Sequence, residues 1–112
     1  MKDSIRRRLE RTLERFEEVG ALLADPDVIA QQGQFRELSM EYARIEPVAT
    51  RFREFRRLED ELRATEDLAR GPDADVRELA DEEARELRER IEHESLELTK
   101  LLIPKDPRDD AN

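Results

Sequence analysis

Apolar residues recur at helical spacing over residues 35–68, and this repeat constrains the fold more than any other feature of the chain. Steps of three and four residues place these side chains on one stripe of a helix: Phe35, Leu38, Tyr42, Ile45, Val48, Phe52, Phe55, Leu58, Leu62 and Leu68. A helix this long has to bury its stripe, because its stability comes more from packing than from intrinsic propensity. Other helices must therefore cover it.

Two further segments supply those helices. Residues 5–23 and 76–102 repeat apolar side chains at the same spacing, so each predicts an amphipathic helix. The glycine-proline pair at 71–72 is the clearest break in the chain, and a short loop between two long helices makes them antiparallel neighbours. We therefore predict an all-α fold. It is an elongated antiparallel three-helix bundle with a long helical hairpin at about 34–70 and 75–102.

Capping and breaking residues predict where these helices start and stop. Ser4 is the predicted cap of the first helix, and Asp75 that of the last. Asp25 caps a short helical turn at 26–31, which opens on a proline. Gly33 then allows the chain to reverse before the central helix begins.

Pro47 interrupts the central stripe. Inside a helix, proline removes one backbone hydrogen bond and clashes with the carbonyl of Ala43, which costs about 3 kcal/mol unless the helix bends or restarts. We therefore predict that the long helix is kinked near Pro47.

Composition indicates a narrow core. Charged residues make up 46% of the 112-residue chain and apolar residues 37%, against roughly a quarter and nearly half in an average domain. A deep central pocket is therefore not expected. No apolar run is long enough to cross a bilayer and the N-terminus has no signal-peptide core, so no membrane role is expected. With no cysteine, a cytoplasmic location is the simplest prediction.

Chemical motifs are missing from the sequence. The three glycines are widely separated, so no phosphate-cradling loop is present. The single histidine, His93, lacks a second ligand at the spacing of a metal-binding helix. Neighbouring acids on a charged helix are typical of a solvated face more than of catalysis. We predict no catalytic, cofactor-binding or metal-binding residue, no small-molecule substrate and no enzymatic activity.

Charge is distributed unevenly along the chain. The net charge is −9, which argues against nucleic-acid binding by the whole surface. Residues 1–16 nevertheless carry six basic side chains against three acidic ones, whereas residues 73–97 carry eleven acids against four arginines. The predicted helices therefore differ in sign.

The C-terminal stretch points to a family. Residues 101–107 read Leu-Leu-Ile-Pro-Lys-Asp-Pro and are followed by Asp109 and Asn112. This run closely resembles the end of the N-terminal helical domain of the bacterial peptide chain release factor 1 family, where it leads into a β-rich codon-reading domain. Gly33 and Ala111 depart from the family pattern. Shorter matches are spread over the rest of the chain: Met1-Lys2, Ser4-Ile5, Leu22-Leu23, Asp25-Pro26, Phe35-Arg36, Leu38-Ser39, Glu41-Tyr42 and Pro47-Val48.

The resemblance implies a domain organisation and a function. Residues 1–103 would be the N-terminal helical domain, and residues 104–112 the linker toward a codon-reading domain. Relatives act in translation termination at UAA and UAG codons, reading them through a Pro-x-Thr element and triggering peptidyl-tRNA hydrolysis through a Gly-Gly-Gln loop. This sequence contains neither element. The implied role is that of a binding module without hydrolytic activity.

The resemblance also implies partners. In the family the helical domain reaches toward the stalk base of the large ribosomal subunit and meets the GTPase release factor. The acidic third helix would then face a basic protein surface. The basic start of the first helix would face ribosomal RNA phosphate, with these candidate contacts: Arg6, Arg7, Arg8, Arg11 and Arg15.

Two alternatives stand beside this hypothesis. Acidic and basic helices also simply complement each other and solvent, since exposed charges contribute little individually. The long stripe is also typical of a free-standing helical coiled-coil scaffold or homo-oligomerisation module. We expect a monomer, because three stripes that close on one another leave none for a second copy.

Overall fold

The computed structural model describes residues 1–103, and these residues form helices without any strand. The prediction of an all-α fold is confirmed. Residues 104–112, the predicted linker, lie outside the described residues. Four helices follow one another along the chain: α1 (Asp3–Leu23), α2 (Pro26–Ile29), α3 (Gln32–Leu68) and α4 (Ala74–Leu101).

The chain divides into two compact units, residues 1–56 and 57–112, and α3 contributes to both. In the first unit α1 runs antiparallel to the early part of α3. The Phe16 ring stacks on Tyr42 with centroids 4.5 Å apart, and the Arg6 guanidinium lies over Phe55. The apolar spacing of both helices explains this pairing, because most of their buried residues fall on the predicted stripes: Leu9, Leu13, Phe16, Val19, Leu38, Phe52 and Phe55. Ala49 is buried in place of the predicted Val48, which is half-buried, and Phe35 at the start of the stripe is exposed.

The short helix α2 closes one end of that core. Asp25 caps it, since its carboxylate accepts a hydrogen bond from the Asp27 backbone N–H at 2.9 Å, and proline occupies the first turn. Val28 is buried with Val19 and Leu38. The predicted turn at 26–31 is confirmed.

The second unit contains the end of α3, the connection at 69–73 and α4. The ends of α3 and α4 lie within two residues of the predicted hairpin segments. Arg88 Nη2 of α4 lies 3.7 Å from Glu66 Oε2 of α3. The buried residues of α4 are Ala80, Ala84, Leu87 and Leu98, all on the helix face that the apolar spacing predicts, whereas Val76 and Leu101 at the two ends of that face are exposed. In this unit α3 buries Leu58 and Thr65, and Thr65 is not part of the predicted stripe.

Two predicted caps are wrong. Helix α1 begins at Asp3, so Ser4 already lies inside it, and the extended Lys2 precedes it without a side-chain cap. Asp73 caps α4 in place of Asp75. Its carboxylate accepts hydrogen bonds from the backbone N–H groups of Asp75, at 2.9 Å, and of Val76. Asp73 has the extended backbone of a cap residue, and Asp75 lies in the first turn, where a negative charge is favourable.

Gly33 is also placed differently from the prediction. It lies in the first turn of α3, and no glycine of the described residues has a positive φ. The chain therefore does not reverse at Gly33. The turn is made by the capped helix α2 and the residues after it, so the conformational freedom of glycine is not needed there.

Helix α3 continues through Pro47 without a break. Proline has no N–H to donate to the Ala43 carbonyl, but both residues are exposed, so water can bond that oxygen. The Thr50 hydroxyl donates to the Glu46 carbonyl at 2.8 Å. A restart of the helix at Pro47 is thus not observed, and the kink stays a prediction.

Candidate interaction surface

The five candidate arginines of α1 do not form one surface. With about 100° between successive residues of a helix, Arg6 points to one flank and Arg8, Arg11 and Arg15 to the opposite flank, with Arg7 on the outer face between them. The contacts agree, because Arg6 and Arg15 reach different parts of α3. The structure therefore separates residues that the sequence analysis had grouped by position along the chain.

Arg15 is engaged within the first unit. Its Nε and Nη2 donate to the two carboxylate oxygens of Glu41 at 2.7 and 2.6 Å, and its Nη1 donates to Glu18 at 2.7 Å. This two-pronged hydrogen bond from Arg15 lowers the pKa of Glu41 and raises that of the arginine. A guanidinium already held by two carboxylates is a poor candidate for phosphate.

Arg6 covers an aromatic ring. Its guanidinium carbon lies 5.7 Å from the centroid of Phe55, and the side chain is half-buried. Arginine favours this position, because its planar cation is weakly hydrated and is attracted to the face of the ring. We therefore assign Arg6 the role of covering the apolar core at Phe55.

Two arginines of α3 also cover aromatic rings, and the sequence analysis missed them. The Arg53 guanidinium carbon lies 5.8 Å from the Phe16 centroid, and that of Arg56 lies 6.0 Å from Phe52. Arg53 also approaches Glu17 at 3.5 Å. The spacing of four residues between Phe52 and Arg56 was the available signal for one of them. The Arg53 contact joins α3 to α1, so predicting it requires knowing how these two helices are aligned.

Three of the candidates stay available for a partner. Arg7, Arg8 and Arg11 are exposed, and within residues 1–103 none of them forms an ion pair. The carbonyl of Arg8 accepts a hydrogen bond from the Thr12 hydroxyl, which leaves its guanidinium unaffected. We call Arg7, Arg8 and Arg11 the arginine triplet. It is the part of the predicted basic patch that is exposed and has no ion pair among the described residues.

Charge differs between the two units. Residues 1–56 contain eleven basic and eleven acidic side chains, whereas residues 57–103 contain eight basic and sixteen acidic ones. The arginine triplet therefore lies in a unit with no net charge, and the acidic excess of the chain belongs to the second unit. Each unit offers a different kind of surface to a charged partner.

The described residues offer little else of chemical interest. Within 1–103 no group of three or more histidine or acidic side chains is placed to hold a metal ion, and no helix there is long and apolar enough to cross a membrane. His93 is exposed on α4. An open depression of about 500 Å³ lies on one flank of α4 and is lined by Ala74, Arg77, Glu78, Asp81, Glu82 and Arg85.

Comparison with known proteins gives one family. The model of the PCRF domain matches residues 12–112, which include most of α1 and all of α2, α3 and α4. No solved structure matches the chain. The match begins after Arg11, so the arginine triplet lies just outside it. Because the matched residues cover far more than half of the sequence, the chain belongs to the PCRF domain family and is a class I release factor-type module of translation termination.

Proposed function

We propose that the chain is the N-terminal helical domain of a bacterial peptide chain release factor 1, which acts at UAA and UAG stop codons. The observation that carries this proposal is the combination of the family match with the run at 101–107, Leu-Leu-Ile-Pro-Lys-Asp-Pro. The sister factors that read the other set of stop codons differ at this junction. The family match supports the termination role, and the run supports the choice between the two codon sets.

Within that factor the chain is a contact module without catalytic activity. No two of its glycines are adjacent, so it contains no Gly-Gly-Gln loop, and it contains no Pro-x-Thr element. Its proposed partners are the stalk base of the large ribosomal subunit and the GTPase release factor. We further propose that the domain is monomeric and acts in the cytoplasm, where its partners are.

A peptide-release assay tests the codon assignment. The chain replaces the helical domain in a UAA/UAG-reading factor and, separately, in a sister factor for the other codon set. We expect release at UAA and UAG by the first chimera and a weaker second chimera, because the junction is matched only in the first. Equal activity of the two chimeras, or failure of the first while its isolated helical domain stays folded, would refute the assignment.

Charge reversal in the arginine triplet tests the ribosome contact. Arg7→Glu with Arg8→Glu removes two exposed cations that make no ion pair within residues 1–103, so the melting temperature stays within a few degrees while ribosome binding by the full-length factor weakens. Arg36→Glu with Arg44→Glu is the control, since it changes net charge equally on exposed positions of α3 in the same unit. If both double variants bind equally well, the triplet is not the contact.

The alternative function is a homo-oligomeric helical scaffold. Several apolar side chains at the ends of the predicted stripes are exposed, which favours it: Phe35 (37% exposed), Leu68 (56%), Val76 (39%) and Leu101 (45%). Sedimentation equilibrium decides between a monomeric release-factor domain and a homo-oligomeric scaffold. A monomer at high micromolar concentration excludes the scaffold, and a defined dimer whose formation buries these residues would favour it.

A further inference from the structure

Charges on α4 are sorted between two flanks. With about 100° between successive helix residues, Arg77, Arg85 and Arg88 share one flank, and Arg77 and Arg88 are used within the unit. Arg77 Nη1 donates to the Gly71 carbonyl at 2.8 Å, and Arg88 pairs with Glu66. The other flank contains only acidic and apolar residues before Arg90. We call it the acidic flank, and its residues are Asp75, Val76, Leu79, Glu83 and Glu86.

The acids of this flank have no cation beside them before Arg90. Five other carboxylates of the second unit have basic partners: Asp60 with Arg63, Glu61 with Arg57, Asp67 with Arg70, Glu66 with Arg88 and Glu97 with Lys100. Among the described residues of α4, salt bridges are absent at Glu83 and Glu86, as they are at Glu78, Asp81, Glu89 and Glu92. Glu78 and Asp81, however, line the depression together with Arg77 and Arg85, whereas Glu83 and Glu86 stand three residues apart, where like charges destabilise a helix. A cationic partner on the acidic flank would relieve that repulsion.

The acidic flank also has an apolar centre. Leu79 is 68% exposed, the highest value among the exposed large apolar side chains of the described residues, and Val76, one turn before it, is 39% exposed. A lone exposed leucine is ordinary. Here it stands beside a second apolar residue within a rim of uncompensated carboxylates, which is the pattern of an interface centre with a charged rim.

We propose that the acidic flank of α4 docks a cationic protein surface, of the kind presented by an amphipathic helix with lysine and arginine around a row of leucines. Leu79 and Val76 would contact the apolar row, and the carboxylates would face the surrounding cations. RNA is disfavoured, because its phosphates carry the same sign as this flank. The inference names the protein-contacting face of the module and, for its physiological partner, rests on the proposed function.

Fluorescence anisotropy with a synthetic peptide tests the proposal. The probe is a labelled amphipathic helical peptide with leucines on one face and lysines and arginines beside them, titrated with the 112-residue chain. Leu79→Ala is compared with Leu96→Ala, which changes another exposed leucine of α4, 58% exposed and outside the acidic flank. We expect Leu79→Ala to weaken binding about tenfold, the loss of one buried leucine contact, and Leu96→Ala to leave it within about twofold.

Neutralising substitutions provide the charge test. Glu83→Gln with Glu86→Gln is compared with Glu78→Gln with Asp81→Asn, which changes net charge equally on the flank that holds Arg77 and Arg85. The first pair weakens peptide binding several-fold and does not lower the unfolding midpoint, because it removes repulsion. Equal losses in both pairs would mean general attraction to an acidic chain and would overturn the proposal.

Other outcomes separate this inference from the proposed function. No binding of the peptide by the unmodified chain, preferential binding of duplex RNA at the same flank, or self-association through Leu79 would each overturn the docking surface. None of these results affects peptide release by the chimeric factors. Conversely, a failed chimera with intact, flank-specific peptide binding would refute the codon assignment and keep the surface.

Discussion

Leu87 and Leu79 form a matched pair that tests whether burial on α4 stabilises the fold. Both are leucines in the same helix, eight residues apart, but Leu87 is 2% exposed and Leu79 is 68% exposed. Replacement by alanine changes helix propensity by the same small amount at both positions. The difference between the two variants therefore measures packing alone.

The expected magnitude follows from the exposed fractions. Leu87→Ala removes three buried carbons, worth about 2.4 kcal/mol at roughly 0.8 kcal/mol each, and leaves a cavity that adds to the loss. Measured losses for such changes are about 2–5 kcal/mol. We expect about 3 kcal/mol for Leu87→Ala and less than about 0.5 kcal/mol for Leu79→Ala, whose side chain keeps most of its surface in water.

Urea unfolding followed by circular dichroism is the assay. The midpoint falls strongly for Leu87→Ala with an unchanged m-value. The melting temperature falls by roughly 12–24 °C, since each kcal/mol shifts a domain of this size by about 4–8 °C. Equal losses for the two variants would show that the inner face of α4 is misassigned. A loss near zero for Leu87→Ala would refute the packing argument itself.

Three further predictions concern local interactions. Gly20→Ala stabilises the chain by about 0.5–1 kcal/mol in urea unfolding, because the added Cβ lies at an ordinary contact distance of 3.6 Å from the Tyr42 ring. Gly71→Ala gives no such gain, because its Cβ would lie only 3.3 Å from the Leu68 carbonyl oxygen. Asp73→Ala loses about 0.5–2 kcal/mol with the cap of α4, and Asp75→Ala loses less. Glu41 has its pKa lowered from 4.5 by Arg15, so its contribution is complete above that ordinary value and is lost as pH falls through the lower, folded-state pKa. Glu41→Gln is therefore less stable than the unmodified chain at neutral pH, and the gap closes in acid; a gap independent of pH would contradict the assignment.

The sequence predicts the helices and the middle of their inner faces well, because an apolar period of three and four residues survives in α1, α3 and α4. The ends of the stripes were predicted less well, since Phe35, Leu68, Val76 and Leu101 are exposed. Caps were predicted less well, since two aspartates compete at the start of α4 and only the backbone decides between Asp73 and Asp75. The basic patch was grouped by distance along the chain. Helical geometry alone would have separated Arg6 from Arg8, whereas the Arg15–Glu41 pair depends on how two helices are aligned.

The arginines over Phe16, Phe52 and Phe55 have a consequence for the chemistry of the whole surface. The chain contains eighteen arginines and three lysines. The ammonium group of lysine is compact and strongly hydrated, so it covers the face of an aromatic ring less well than a guanidinium does. Recoding Arg6, Arg53 and Arg56 as lysine would preserve every formal charge and yet let water reach the rings beneath. In a protein with so small an apolar core, arginine side chains thus do part of the work of excluding water from it.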